Sequence, residues 1–185
     1  MEPKGPFLSG DEALGILEDR REFVDSVVVT GGEPTIQEGL PGFLRRLKEE
    51  GFSVKLDTNG MKPGVLGECL GLVDYVAMDF KTTPGRYGEL GGGPPDALLE
   101  SVGLLLEGDV DYEFRCTVVP GFVDEGAVLE MGRAVSGARR FVFQQFVPGD
   151  TLDSGFRGVE PFSVGVIEGF GELMEDFVDE VVLRV

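Results

Sequence analysis

Apolar and polar positions along the 185-residue chain alternate between a helical and a strand period. Ser9 with Glu12 three residues on is a capping-box pair, and Ala13, Leu14, Ile16 and Leu17 follow at helical spacing, predicting a helix over about Ser9 to Arg21. Val27-Val28-Val29-Thr30 reads as a short buried strand ended by Gly31-Gly32. Pro41 opens a second helix carrying Phe43, Leu44 and Leu47, with Gly51 as its C-cap. Ser53 to Asp57 is the next strand, stopped by Asn59-Gly60, and a short helix follows around Val65 to Leu70. Tyr75 to Phe80 is a strand, Thr82 to Pro95 a loop, and Asp96 to Glu107 a helix with Leu98, Leu99, Val102, Leu105 and Leu106 on one side. Tyr112 to Val119 and Arg140 to Val147 are strands flanking a helix from Asp124 to about Val135. After an irregular stretch through Pro161, Ser163 caps a last helix reaching Phe177, and Val181 to Val185 is a final strand.

Strands alternating with helices imply a parallel sheet with right-handed crossovers. The order opens on a helix, as though a first strand were absent. An open α/β sheet and a partial βα barrel both satisfy the pattern. No repeat or linker divides the chain, so residues 1–185 read as one domain.

The strands separate these architectures. In Ser53 to Asp57, Val54 and Leu56 oppose Lys55 and Asp57; in Tyr75 to Lys81, Val76, Met78 and Phe80 oppose Ala77, Asp79 and Lys81. In Asp111 to Val119, Tyr112, Phe114, Cys116 and Val118 oppose Glu113, Arg115 and Thr117. A sheet covered by helices on both sides should be apolar on both faces. A partial βα barrel, with helices on the apolar face and a polar lumen inside, fits better. Lys55, Lys81 and Arg115 would balance Asp57, Asp79 and Glu113, because unpaired charges there would be prohibitive. Either the charges satisfy one another structurally, or they form a site for a polar zwitterion near the carboxyl ends of the strands.

Composition removes several chemistries. The chain has no histidine, which excludes Ser-His-Asp, Cys-His and most zinc-hydrolase sites. Cys69 and Cys116 lie far apart in apolar segments without metal-ligand spacing, so both read as buried free thiols. Lys plus Arg number 16 against 34 Asp plus Glu, a net charge of −18 that repels nucleic acid and anionic lipid headgroups. Solubility is the plainer reading of that charge; steering toward a basic partner is the alternative. With no long apolar run and no signal peptide, the expectation is a cytoplasmic protein with no nucleic-acid or membrane partner.

Thr30-Gly31-Gly32-Glu33-Pro34-Thr35 directly follows a strand. Paired glycines let a ligand approach the backbone, where carbonyls can accept from an ammonium group; Glu33 could instead stabilise the turn. With Leu-Asp-Thr-Asn-Gly, Tyr-Val-Ala-Met-Asp-Phe-Lys, Phe-Arg-Cys-Thr-Val-Val-Pro-Gly and Phe-Gln-Gln-Phe in the same order, the chain from about Ser9 to its end resembles the radical S-adenosylmethionine (SAM) activating enzymes of glycyl-radical systems. It looks closest to the activating proteins of anaerobic ribonucleoside-triphosphate reductase, with pyruvate formate-lyase activating enzymes close behind.

The resemblance implies an α/β partial barrel of TIM-like type holding SAM beside a [4Fe–4S] cluster, in an anaerobic, cytoplasmic oxidoreductase. By motif, Gly31, Gly32, Glu33 and Pro34 would hold the amino end of SAM's methionine. Asp57, Thr58 and Asn59 would line the site beside Met78 and Asp79, with a monovalent cation between Asp57 and Asp79. Lys81 would meet the methionine carboxylate, Arg115 would point into the same lumen, and Gln144 or Gln145 would close its far side. Cys116 stands where the family pattern has threonine and reads as packing.

The family's Cys-x-x-x-Cys-x-x-Cys lies upstream of the Gly-Gly-Glu-Pro block, and the chain starts past that point. Cluster ligands and the first strand are therefore expected to be absent from these residues. Two functions follow: an N-terminally incomplete radical SAM enzyme that forms a glycyl radical on a partner such as anaerobic ribonucleotide reductase, or a non-catalytic SAM-binding, subunit-like descendant without a cluster. An unrelated barrel enzyme using Asp57 and Asp79 around a metal is a third. The identity of the partner and the oligomeric state are not legible in the sequence.

Overall fold

A computed structural model describes residues 8–149 and 153–185. Helix α1 (Gly10–Glu18) leads into strand β1 (Ser26–Val29), followed by α2 (Leu40–Glu49), β2 (Ser53–Thr58), α3 (Pro63–Cys69) and β3 (Tyr75–Asp79). Next come α4 (Pro95–Glu107), β4 (Asp111–Val118), α5 (Glu125–Ala134), β5 (Phe141–Gln145), α6 (Val164–Met174) and β6 (Val181–Arg184). Residues 1–7 and 150–152, which include part of the expected irregular stretch, lie outside the described residues.

Local chemistry accounts for the element ends. Ser9 caps α1, its hydroxyl accepting from the Glu12 amide at 3.2 Å while the Glu12 carboxylate accepts from the Ser9 amide at 2.7 Å. The helix stops at Glu18, short of Arg21, because residues 19–23 turn instead. Pro41 sits in the first turn of α2, and Gly51 just beyond its end takes φ +76°, a left-handed conformation natural to glycine. The stretch expected as loop from Thr82 contains a 3-10 segment, Pro84–Leu90. Buried Tyr87 anchors it: the phenol oxygen accepts from the Lys81 amide at 2.9 Å, and the ring meets Phe80 edge-on.

All six strands are parallel and lie in sequence order, β1-β2-β3-β4-β5-β6. A doubly wound sheet needs a reversal in strand order, and there is none. Right-handed crossovers between consecutive neighbours put every helix on one face. This is the layout of a partial βα barrel, and its register carries the expected alternation. Leu56 pairs with Val76, Val76 with Tyr112, and Phe114 with Phe141 on the helix side. Asp57 pairs with Ala77, Ala77 with Glu113, and Asp79 with Arg115 on the other.

The core fills the space between sheet and helices. Leu44, Leu47, Leu66, Leu98 and Leu105 from the helices and Leu56, Phe114 and Phe143 from the strands are fully buried. Burying each contributes about 1.5–3 kcal/mol. Phe80–Phe114 and Phe143–Phe170 ring contacts, with centroids 6.4 and 6.3 Å apart, run through this layer. Both cysteines belong to it and are free. No helix among the described residues is long and apolar enough to cross a membrane.

Candidate functional site at the carboxyl ends of the strands

The turn after β1 is built by two glycines, Gly31 at φ +97° and Gly32 at φ +59°, both exposed. A Cβ at either would meet nothing within 4 Å, so backbone conformation and not crowding requires glycine here. Among the described residues, no hydrogen bond reaches the carbonyl of Gly31 or Gly32. Glu33 follows in extended conformation and caps the short 3-10 turn Pro34–Ile36. Its carboxylate accepts from the Thr35 amide at 3.1 Å, the Thr35 hydroxyl, the Thr58 hydroxyl at 2.7 Å and the Asn59 amide at 2.7 Å. Pro34 is buried.

The end of β2 is fixed from the same point. The Thr58 oxygen accepts from the Gly60 amide at 3.1 Å, and Asn59 Oδ1 accepts from the Met61 amide at 2.9 Å. Thr58 and Met78 lie on the helix side of the sheet and are buried, with the Met78 thioether packed under Gly60. Strand parity turns both side chains toward the helices, as the alternation expects for Met78, so what they present to the lumen is backbone.

Asp57, Asp79 and Arg115 face the lumen together. Arg115 Nη1 donates to Asp57 Oδ2 at 3.1 Å, and its Nε and Nη2 donate to Asp79 Oδ1 at 3.1 and 2.9 Å. The guanidinium thus reaches from β4 across β3 to β2, where Ala77 leaves room beneath it. Burial would lower the Arg115 pKa, but the charges and hydrogen bonds of Asp79 and Asp57 outweigh it and leave it raised. The guanidinium lies between the two aspartates, the place where the resemblance puts a monovalent cation.

One acceptor remains open. Asp57 Oδ1 is buried without a hydrogen bond; Lys55 Nζ stands 3.5 Å away, close enough for charge attraction but not a directed bond. Lys81 lies on the rim, its Nζ 3.9 Å from Asp79 Oδ2 and its side chain half exposed.

The lower lumen is a separate network. Glu113, only 3% exposed, accepts from Arg184 Nη2 at 2.9 Å and from the Tyr75 hydroxyl at 3.1 Å. Arg140 donates to the Tyr75 oxygen at 3.3 Å and to Glu180 at 2.7 Å. Glu113 is thus balanced by Arg184 and not by the three cations expected to face it. The signal for Arg184 was the alternation in Val181-Val182-Leu183-Arg184, which puts it opposite helix-facing Leu183. Of the two glutamines, Gln144 shares the lumenal face with Thr117 and Arg184, whereas Gln145 donates to the carbonyls of Phe146 and Phe162.

Asp79, Lys81, Arg115 and Thr117 form the polar wall of a cleft of about 130 Å³, closed by Leu90, Val119 and Phe122. Those three apolar residues are shared with a neighbouring hollow of about 510 Å³ that adds Phe146 and Phe156. Sequence reasoning missed this apolar wall, because its members come from four separate segments with no common pattern.

Comparison with known proteins agrees with this architecture. The description "Radical SAM superfamily" matches residues 1–130. A protein of Methanocaldococcus jannaschii, named as a candidate glycyl-radical enzyme activating enzyme, is 33% identical over 171 residues, covering 88% of this chain and 71% of that relative. A 7-carboxy-7-deazaguanine synthase of Thermococcus kodakarensis is 34% identical over 85 residues, 45% of this chain but only 34% of that enzyme. In fold, the chain is similar to a domain of pyruvate-formate lyase-activating enzyme from Bacteroides vulgatus, with a TM-score of 0.68 at 16% identity over 86% of this chain and 98% of that one. It is likewise similar to Streptococcus suis SuiB bound to S-adenosylmethionine, with a TM-score of 0.70 at 13% identity over all of this chain and 45% of that one. On the family match and the relative from M. jannaschii together, the chain belongs to the radical SAM superfamily.

Proposed function

We propose that these residues form the SAM-binding barrel of an activating enzyme that acts on a glycyl-radical enzyme partner. The observation that carries the reading is a set of open acceptors at the carboxyl ends of β1 and β2: the Gly31 and Gly32 carbonyls and Asp57 Oδ1 lack hydrogen bonds among the described residues, while Lys81, just beyond β3, is half exposed with its Nζ 3.9 Å from Asp79. Such a set suits an amino-acid zwitterion: the ammonium group toward the carbonyls and Asp57, the carboxylate toward Lys81. Asn59 would help shape the same end of the cleft through its turn. Bound there and given one electron by a donor outside these residues, SAM would supply a 5′-deoxyadenosyl radical with release of methionine, and that radical would take a hydrogen atom from a glycine of the partner.

Arg115 organises this end of the lumen. Its charge is already matched by Asp57 and Asp79, so it positions the two carboxylates. The network of Tyr75, Glu113 and Arg184 fills the opposite end and keeps the ligand near the carboxyl ends of the strands.

The iron–sulfur cluster is a different matter. Cluster ligation needs accessible thiolates. Burial and the charge of Glu68 push the Cys69 thiol up to about 11, and burial together with Asp79 pushes Cys116 up as well. Cys116 also sits on the helix side of β4, against the Lys81 carbonyl. Neither described thiol suits the cluster, so in the activating-enzyme reading its ligands lie outside the described residues; the second reading is a SAM-binding subunit without a cluster of its own.

Calorimetric titration of the purified protein with SAM tests the shared core of both readings. Saturable binding is expected, weakened about tenfold or more in Asp57→Ala, the scale of one charge-assisted hydrogen bond. Absence of binding would sink both. Iron content of the protein purified without oxygen from its own source separates them: about four irons per chain supports the activating enzyme, and none supports the subunit.

A further inference from the structure

We propose that Glu33 is a positioning residue that locks the Gly31–Gly32 turn to the end of β2, and that it does not itself touch the ligand. The inference rests on the SAM-binding reading and assigns a distinct job within that site. A carboxylate has about four acceptor positions. In Glu33 they are met by the Thr35 amide and hydroxyl, the Thr58 hydroxyl and the Asn59 amide. An ammonium group arriving at Glu33 would have to break one of these bonds, while the Gly31 and Gly32 carbonyls and Asp57 Oδ1 carry no hydrogen bond among the described residues.

The bonds to Thr58 and Asn59 join positions 25 and 26 residues apart. They connect the turn leaving β1 to the turn leaving β2, the two segments that present the open acceptors. Thr58 passes the constraint on, because its oxygen also accepts from the Gly60 amide, and Gly60 at φ +72° lies against buried Met78. The Gly-Gly turn, Asp57 and the Asn59 turn are thereby held as one body, and the ammonium receptor is set before the ligand arrives.

Two substitutions distinguish a clamp from a ligand. Glu33→Gln keeps the shape but offers an amide N–H to donors that need an acceptor. Thr58→Val removes one clamp bond and leaves the Glu33 carboxylate intact. Both are titrated with SAM and with 5′-methylthioadenosine, which lacks the amino-acid end, at a temperature where circular dichroism shows each variant folded. Amide hydrogen exchange at Thr35 and Asn59 is followed in parallel. The clamp predicts about tenfold weaker SAM binding in Glu33→Gln and several-fold weaker binding in Thr58→Val, with 5′-methylthioadenosine affinity within about twofold and faster exchange at Asn59. A directly ligating Glu33 predicts SAM binding in Thr58→Val that is unchanged or tighter, and that result would overturn the proposal. Equal loss for both ligands would overturn it too, as general damage to the fold. If Glu33→Gln does not fold, Thr58→Val alone decides. Wild-type protein that binds no SAM refutes the underlying reading, whereas wild-type binding with unaffected variants refutes only the clamp.

Discussion

Arg115 is 15% exposed and has a carboxylate on each side, Asp57 at 3.1 Å and Asp79 at 2.9 Å. Removing one partner of a mostly buried ion pair costs more than the pair contributes, because the remaining charges are left facing each other. Arg115→Met should therefore destabilise the protein by about 2–4 kcal/mol at neutral pH, read from urea unfolding. A loss under about 0.5 kcal/mol would mean that water already carries these charges. The alternation of Lys55, Asp57, Asp79, Glu113 and Arg115 made this charged face legible before any coordinates. Which charges meet was not legible: Glu113 finds Arg184, 71 positions away, and strand parity says nothing about partners two or more strands apart. The face that Met78 takes was legible as well, from its place between Val76 and Phe80. A motif places residues next to one another in sequence, but strand parity turns every second side chain to the other face.

Among the elements, the junction of α2, β2 and β3 shows how a polar contact holds a register. Asp74, just before β3, accepts from Lys48 of α2 at 2.6 Å and from the Val54 amide of β2 at 2.7 Å. Burial works against its ionised form, but the hydrogen bonds from Lys48 and Val54 and the charge of Lys48 outweigh it, so its pKa falls below the ordinary 3.8. The folded value being depressed, the stabilisation is complete above the unfolded value and is lost as pH falls through the folded one. Asp74→Asn should thus be less stable than wild type at pH 6, and the gap should narrow only as pH falls below the ordinary 3.8 and through the lower folded value. A gap that stays constant with pH would assign the effect to shape alone. On α5, a Cβ added at Gly132 would run into the ring of Phe177. Gly132→Ala should cost about 1–3 kcal/mol through overpacking, despite the better helix propensity of alanine. Urea unfolding that shows a gain would mean the ring swings aside freely. Element existence and order were readable because each helix and strand carries its own period. The 3-10 segment Pro84–Leu90 was not, since it depends on Tyr87 reaching back to Lys81 and Phe80.

For the whole molecule, charge is the dominant feature. Acids outnumber bases 34 to 16, while several bases, among them Lys55, Lys81, Arg115 and Arg184, are spent on the lumenal face. That leaves the outer surface more acidic than the total suggests. Self-repulsion of this kind weakens the compact state and is screened by salt. Raising potassium chloride from about 0.05 M to about 1 M, where the screening length drops to about 3 Å, should raise the thermal midpoint by several degrees. A fall would mean that the lumenal ion pairs matter more to stability than the repulsion outside.

The reach of Arg115 over Ala77 has one more consequence. A sheet built from neighbours in sequence order has no ring closure to fix its curvature; each strand knows only the next. Arg115 instead joins β2 to β4 and skips β3, as a chord joins two points on an arc. The length of that chord limits how far the arc can flatten, and so how far apart the walls of the cleft can move. A larger side chain at Ala77, level with Asp57 and Glu113 on the same face, would push against that chord from below and open the curve.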